Sequence, residues 1–139
     1  MSALAKFKIV LFDIAIELSS KGFRRRGAWF TKRPPEGSYF SSINIRKIPQ
    51  AGSKRITFQV VSYAGRTTDG DMSLVTSLGQ ALDHSLFEHR ITQDHAEMFW
   101  TVWPSSDPHE IGRLVYSQIA QQSMEALERH FRESCQGST

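Results

Sequence analysis

The apolar residues of this chain change period twice, and that change restricts the fold more than any other feature. From Ala3 to about Lys21, Leu4, Phe7, Leu11, Ile14, Ala15 and Leu18 recur at helical spacing, while Lys6, Lys8, Asp13 and Glu17 fall largely outside the stripe. Between Phe23 and Tyr63 the spacing drops to two, as in strands. From Ile111 onward, Val115, Ile119, Met124, Leu127 and Phe131 restore the helical period. Helical stripes at both ends and alternation between them predict an α+β fold, a single antiparallel sheet of about four strands with the N-terminal and C-terminal helices packed on one face.

Local signals punctuate this order. Ser2 is an N-cap candidate, and Gly22 suits the left-handed residue that closes a helix, after which Phe23 folds back on the helix end. Phe23 to Lys32 reads as one strand, with Gly27 as a bulge. Pro34-Pro35-Glu36-Gly37 is a turn, and Tyr39 to Lys47 is the returning strand. After a loop from Pro49 to Ser53, Arg55 to Tyr63 alternates Ile56, Phe58 and Val60 against Thr57, Gln59 and Val61, as a half-buried strand does. Short turns between sequential strands imply an antiparallel meander. Ala64 to Asp71 is a polar loop. Leu74, Leu78, Leu82 and Leu86 favour one or two short helices within residues 72 to 90, with Gly79 against a single unbroken one. Glu97 to Trp103 is a fourth strand. Asp107-Pro108-His109-Glu110 combines an acidic N-cap, proline at the first helical position and glutamate at the third, and opens a helix expected to reach about Arg132. Residues 134–139 read as a frayed tail of one domain spanning 1–139.

A chain of 139 residues has enough surface to bury for stability without covalent staples. Its one cysteine, Cys135, excludes an internal disulfide framework and fits a reducing compartment. The apolar run at the start contains lysines and no small-residue cleavage site follows it, so it reads as a helix and not a signal peptide. No run approaches the ~20 apolar residues of a membrane span. The expectation is a cytoplasmic protein without membrane contact.

Catalytic and metal chemistry find little support. The five histidines, His84, His89, His95, His109 and His130, are spaced 5, 6, 14 and 21 apart, unlike the H-x-x-x-H of zinc helices. There is no G-x-S-x-G elbow, no P-loop and no G-x-G-x-x-G, and Cys135 lies in the expected tail. No catalytic residue, metal or cofactor is assigned.

Charge is the informative remainder. Residues 1–66 carry thirteen Lys/Arg against three Asp/Glu; residues 67–139 carry four against eleven. Within Gly22 to Arg33, five of twelve positions are cationic and three are large aromatics. A segment of that kind is either a ligand-facing ribbon or a strand with a solvated face whose arginines pair with the acidic half. The candidate basic face comprises Arg24, Arg25, Arg26, Lys32, Arg33, Asn44 and Arg46. Two functions follow. One is a non-enzymatic protein-binding or self-associating module using the sheet face that the helices leave open. The other is binding of nucleic acid or another polyanion, with Ser42, Asn44, Arg46, Thr57 and Gln59 lining that face beside Trp29 or Tyr39. Most of the aromatic set (Phe23, Trp29, Phe30, Tyr39, Phe40, Phe58, Trp100, Trp103) is expected in the core, with Trp103 at a rim.

The run Gly22-Phe23-Arg24-Arg25-Arg26-Gly27-Ala28-Trp29-Phe30 after an amphipathic helix resembles the G-F-[KR]-[KR]-[KR]-G-x-x-[FW] start of an uncharacterised bacterial family of small domains. Ser42 to Lys47 and Ile56 to Val60 resemble its later strands, so the likeness covers about residues 7 to 63. The family's glutamine in the second strand is missing, because Arg46 follows Ile45. The resemblance implies an α+β fold and a bacterial cytosolic setting. It implies no activity and hence no catalytic residue.

Overall fold

The computed structural model describes residues 1–32, 39–50, 54–66 and 87–136. Helix α1 spans Ala3–Ser19. The Ser2 hydroxyl accepts from the Ala5 N–H, as its N-cap role requires. At the other end Gly22 adopts φ +91°, and the Phe23 N–H reaches back to the Leu18 carbonyl at 3.0 Å. That return bond turns the chain from helix into sheet and drops Phe23 into the core.

Residues 24–32 are two strands and not one. Strand β1 (Arg24–Arg26) pairs with β2 (Trp29–Lys32) through the two-residue turn Gly27-Ala28. Gly27 has φ +62° and Ala28 does not, which is the signature of a type II′ turn. The glycine expected as a bulge therefore reverses the chain. The sheet continues through β3 (Tyr39–Ile48) and β4 (Ile56–Arg66), each antiparallel to the last. Beyond β4, two short strands share one edge: β5 (Phe87–Arg90) pairs with its second half and β8 (Trp100–Val102) with its first. Between them β6 (Thr92–Gln93) and β7 (Ala96–Glu97) form a separate small hairpin, whose turn residues Asp94 and His95 both have positive φ. The described residues thus form a six-stranded antiparallel sheet.

Several sequence expectations are corrected here. Residues 87 to 90 are strand, not helix, and the expected fourth strand from Glu97 to Trp103 is broken at residues 98 and 99. The expected turn at 34–37 and most of the leucine-spaced stretch lie outside the described residues. β4 is buried on both faces: Gln59, Val61 and Tyr63 are as inaccessible as Phe58 and Val60. It is the central strand, so the half-buried pattern expected of it belongs to a more peripheral position.

The C-terminal helix begins as expected, with the Asp107 carboxylate accepting from the His109 and Glu110 N–H groups and Pro108 in the first turn. It runs as α2 (Pro108–Gln118), a π turn (Ile119–Ser123) and α3 (Met124–Gln136). The π turn absorbs the five-residue gap between Ile119 and Met124 and rotates Ser123 into a fully buried position. α1 and α2 lie side by side in the same direction. Lys6 Nζ donates to the Ser106 carbonyl at 2.6 Å, the His109 ring meets Asp13 at 2.7 Å, and Gly112 approaches so closely that a Cβ there would stand 3.1 Å from the Asp13 Cβ.

All three helices cover one sheet face. Phe7, Val10, Leu11, Ile14 and Leu18 of α1, with Val115, Ile119 and Leu127, pack on Phe30, Ile43, Ile45, Phe58, Val60 and Ala64. Leu4, counted in the helical stripe, is instead 46% exposed, and Val10 takes the core position. The Phe58 ring lies between Phe7 (5.4 Å) and Trp100 (5.7 Å, stacked). Burying one such side chain stabilises the fold by about 1.5–3 kcal/mol. The opposite face has a smaller cluster of its own, Phe40, Val61 and Tyr63, with Trp29 packed against it.

Candidate functional site: the cationic hairpin

β1 is the last strand on its side of the sheet. Its three arginines are all exposed. Register divides them: Arg24 and Arg26 stand opposite Thr31 and Trp29 on the face away from the helices, and Arg25 stands opposite Phe30 on the helix side. The fold fixes this ribbon from behind. The Ala28 carbonyl accepts from the Ile45 N–H at 2.9 Å and from Asn44 Nδ2 at 3.2 Å, and Arg25 Nε donates to the Gly27 carbonyl at 2.9 Å.

None of the three arginines pairs with a carboxylate among the described residues. Acids of the second half pair with arginines of the second half: Glu88 and Glu97 hold Arg90 at 3.4 and 2.7 Å, and Glu125 holds Arg129 at 2.7 Å. Among the described residues, the contact that crosses between the halves, the Asp13 carboxylate with the His109 ring, uses an acid of the basic half. Of the two readings of the arginine triplet, compensation by the acidic half is therefore not made through direct pairs among these residues.

The other candidates separate. Arg46 is exposed on β3, opposite Gln59, on the same side as Arg24 and Arg26. Lys32 is exposed on the helix side, its Nζ 5.9 Å from the Phe23 ring centroid. Asn44 is only 8% exposed, and its amide is committed to the hairpin turn. Arg33 lies outside the described residues. The polar row imagined for the far face is mostly inaccessible: Ser42 is fully buried and hydrogen-bonded to Thr31 at 2.7 Å, and Gln59 is 3% exposed. Trp29 is stacked on Tyr63 at 5.7 Å, and Tyr39 lies on the helix side, bonded through its hydroxyl to His130 Nδ1 at 2.7 Å. Burial pushes the Tyr63 phenol above its ordinary pKa. The charge of Glu88 adds to that rise, Arg46 and Arg90 oppose it, and a hydrogen bond to Glu88 adds further.

A groove of about 500 Å³ between α1 and α2 gathers Asp13, His109, Glu17 and Tyr116. The Tyr116 phenol is pushed up by burial and then by Glu17. The His109 ring, at 73% side-chain exposure, closes on Asp13 and so ties α1 to the start of α2. In water such a pair contributes about 0–1 kcal/mol. Among the described residues no group of three or more His, Cys, Asp or Glu side chains could hold a metal ion, and no described helix is long and apolar enough to cross a membrane.

Compared with known proteins, the chain matches no family model, no curated protein and no solved structure. The likeness carried by Gly22 to Phe30 is thus left at its coarser content, a small α+β domain with an N-terminal helix followed by strands. Lys21, Met124, Leu127 and Phe131 had no place among the sequence candidates. The last three were counted as the buried stripe of the C-terminal helix, and Phe131 is 37% exposed. The exposure of its position depends on where the helix ends against the sheet edge, which periodicity alone does not reveal.

Proposed function

We propose that this is a non-enzymatic, cytoplasmic bacterial binding domain whose docking surface is the β1–β2 hairpin, and that its partner is an acidic segment of another protein. One observation carries this: three adjacent arginines stand exposed on an edge strand, with no carboxylate paired to them among the described residues. Unpaired cations on a fixed ribbon attract a negative partner over roughly a Debye length, ~8 Å at physiological salt, and discriminate by charge. An edge strand also offers free backbone donors and acceptors to an incoming strand. Self-association through this edge is disfavoured, because two copies would set like charges opposite each other.

Protein is favoured over nucleic acid by what the far face lacks. Sequence-tolerant binding of single strands stacks bases on free aromatic rings. Trp29 is already stacked on Tyr63, Asn44 holds a turn, and Gln59 is buried.

The test compares the chain with its Arg24→Thr/Arg25→Thr/Arg26→Thr variant in nuclease-treated bacterial lysate. The expected result is a protein partner of acidic character that elutes as salt rises and is not held by the variant. Equal capture by both proteins would overturn the proposal. So would steeply salt-dependent binding of labelled single-stranded RNA with no protein captured, which would assign the ribbon to nucleic acid. If the variant instead aggregates while binding is unchanged, the arginines serve only to guard the edge.

A further inference from the structure

Beside the hairpin lies a second groove, of about 470 Å³, between α3 and the sheet. Its volume falls in the range of built ligand sites, about 300–1,000 Å³. Phe23, Tyr39, Leu127 and Phe131 make an apolar, largely aromatic lining. The Tyr39 ring meets Phe131 edge-on at 4.9 Å, and its bond to His130, itself stacked on Phe87 at 4.4 Å, fixes this wall in place. Two ammonium groups, Lys21 and Lys32, stand at the groove, and neither pairs with a carboxylate among the described residues. Glu128 is the one carboxylate among the residues that line it.

The groove meets the hairpin at Lys32. Lys32 belongs to β2, and its place on the helix side is next to that of Phe30, which Arg25 faces across the hairpin. An apolar lining edged by Lys21 and Lys32 thus ends on the strand that pairs with Arg25, whose place is diagonal to that of Lys32 across the hairpin. A purely electrostatic anion site needs no aromatic lining, and a purely apolar one gains nothing from three cations along its approach. The combination fits an extended or helical peptide in which an aromatic or long aliphatic side chain is flanked by acidic residues.

Resting on the hairpin reading above, we propose that this groove receives the apolar anchor of the same acidic partner segment. The anchor supplies affinity by filling the space between Phe23, Tyr39 and Phe131. The acidic flanks supply orientation, running from Lys21 and Lys32 toward Arg25. Glu128 opposes an acid at its end of the groove and so fixes which end of the peptide lies there.

Selection of a random twelve-residue peptide display library on the full chain tests this. Enriched peptides should carry acidic residues around one aromatic or aliphatic anchor. A fluorescein-labelled representative should lose affinity about tenfold or more with Phe131→Ala, as buried aromatic anchors do. Glu128→Gln, a change at an exposed position, should tighten binding. The hairpin triple variant should weaken binding and flatten its salt dependence. Acidic peptides without an anchor, unaffected by Phe131→Ala and Glu128→Gln but lost with the triple variant, would overturn the groove inference and leave the hairpin reading standing. No enrichment of acidic peptides would overturn both. Binding of a fatty-acid probe such as laurate, with no peptide enriched, would overturn the inference in favour of a small amphiphile.

Discussion

Neutralising the arginine triplet separates an uncompensated ribbon from a compensated one through stability alone, without knowledge of any partner. Arg24→Thr/Arg25→Thr/Arg26→Thr keeps residues suited to a strand, so backbone preference is little disturbed. If each arginine made a surface ion pair, the three losses would sum to roughly 0.6–3 kcal/mol. With an unfolding entropy of about 2.1 cal/mol/K per residue, a 139-residue chain shifts its Tm by about 3 °C for each kcal/mol. The compensated case therefore gives a fall of about 2–10 °C. Among the described residues the one side-chain bond lost is Arg25 Nε to the Gly27 carbonyl, at an exposed site, worth about 0.5 kcal/mol at the lower end of the usual range. Removing three like charges from adjacent positions offsets it. The expected change is under about 2 °C, moving toward stabilisation as ionic strength drops to about 0.01 M, where the Debye length reaches ~30 Å. Calorimetry at low and high salt reads both. A fall of more than about 5 °C at low salt that vanishes at about 1 M would refute the claim that the ribbon is uncompensated.

Three further expectations test the frame that carries the hairpin. Ser123 is buried in the π turn with no hydrogen-bond partner for its hydroxyl among the described residues, so Ser123→Ala should raise stability by about 1 kcal/mol in denaturant titration, and a loss of that size would show that the hydroxyl has a partner. His89 is held below its ordinary pKa of 6.5, chiefly by burial and then by Arg129. The unfolded chain therefore protonates first as pH falls, so the stability that neutral His89 contributes is complete above about 6.5 and is lost as pH falls through the lower folded-state value; His89→Leu should flatten that part of the profile, and an unchanged slope would sink the assignment. Gly27→Val places a β-branched residue at φ +62° and should cost about 1–3 kcal/mol and open the hairpin, seen as lost amide protection at Arg26 and Trp29; full protection there would contradict the type II′ turn.

The parts legible in the sequence are those that a local signal specifies on its own. Ser2, Gly22 and the Asp107-Pro108 pair each close or open a helix by satisfying backbone groups within a few residues, and all three do so in the structure. The errors arise where tertiary placement decides. Gly27 is compatible with a bulge or a type II′ turn, and the choice depends on whether β1 has β2 to pair with. Val10 and Leu4 are equally apolar, and which one faces inward depends on the rotation of α1 against the sheet. Alternation in β4 suggested one wet face, yet that strand has neighbours on both edges and apolar clusters on both sides.

The candidate site shows the same division in electrostatic terms. That the first half is basic and the second acidic is a matter of counting, and it invites the idea that the halves neutralise each other. Pairing is a matter of reach, and short reach favours partners close in sequence: Glu88 and Glu97 lie two and seven residues from Arg90, and Glu125 lies four from Arg129. Acids satisfied so locally are not available to a strand on the opposite edge of the sheet, since β1 and β5 are separated by three strands. Adjacent strands lie about 4.8 Å apart, so the two edges stand roughly 19 Å from each other, about two Debye lengths at physiological salt. At that distance Glu88 on β5 screens the arginines little. Among the described residues the arginine ribbon thus keeps its charge at the surface, with no direct pair to an acid of the second half.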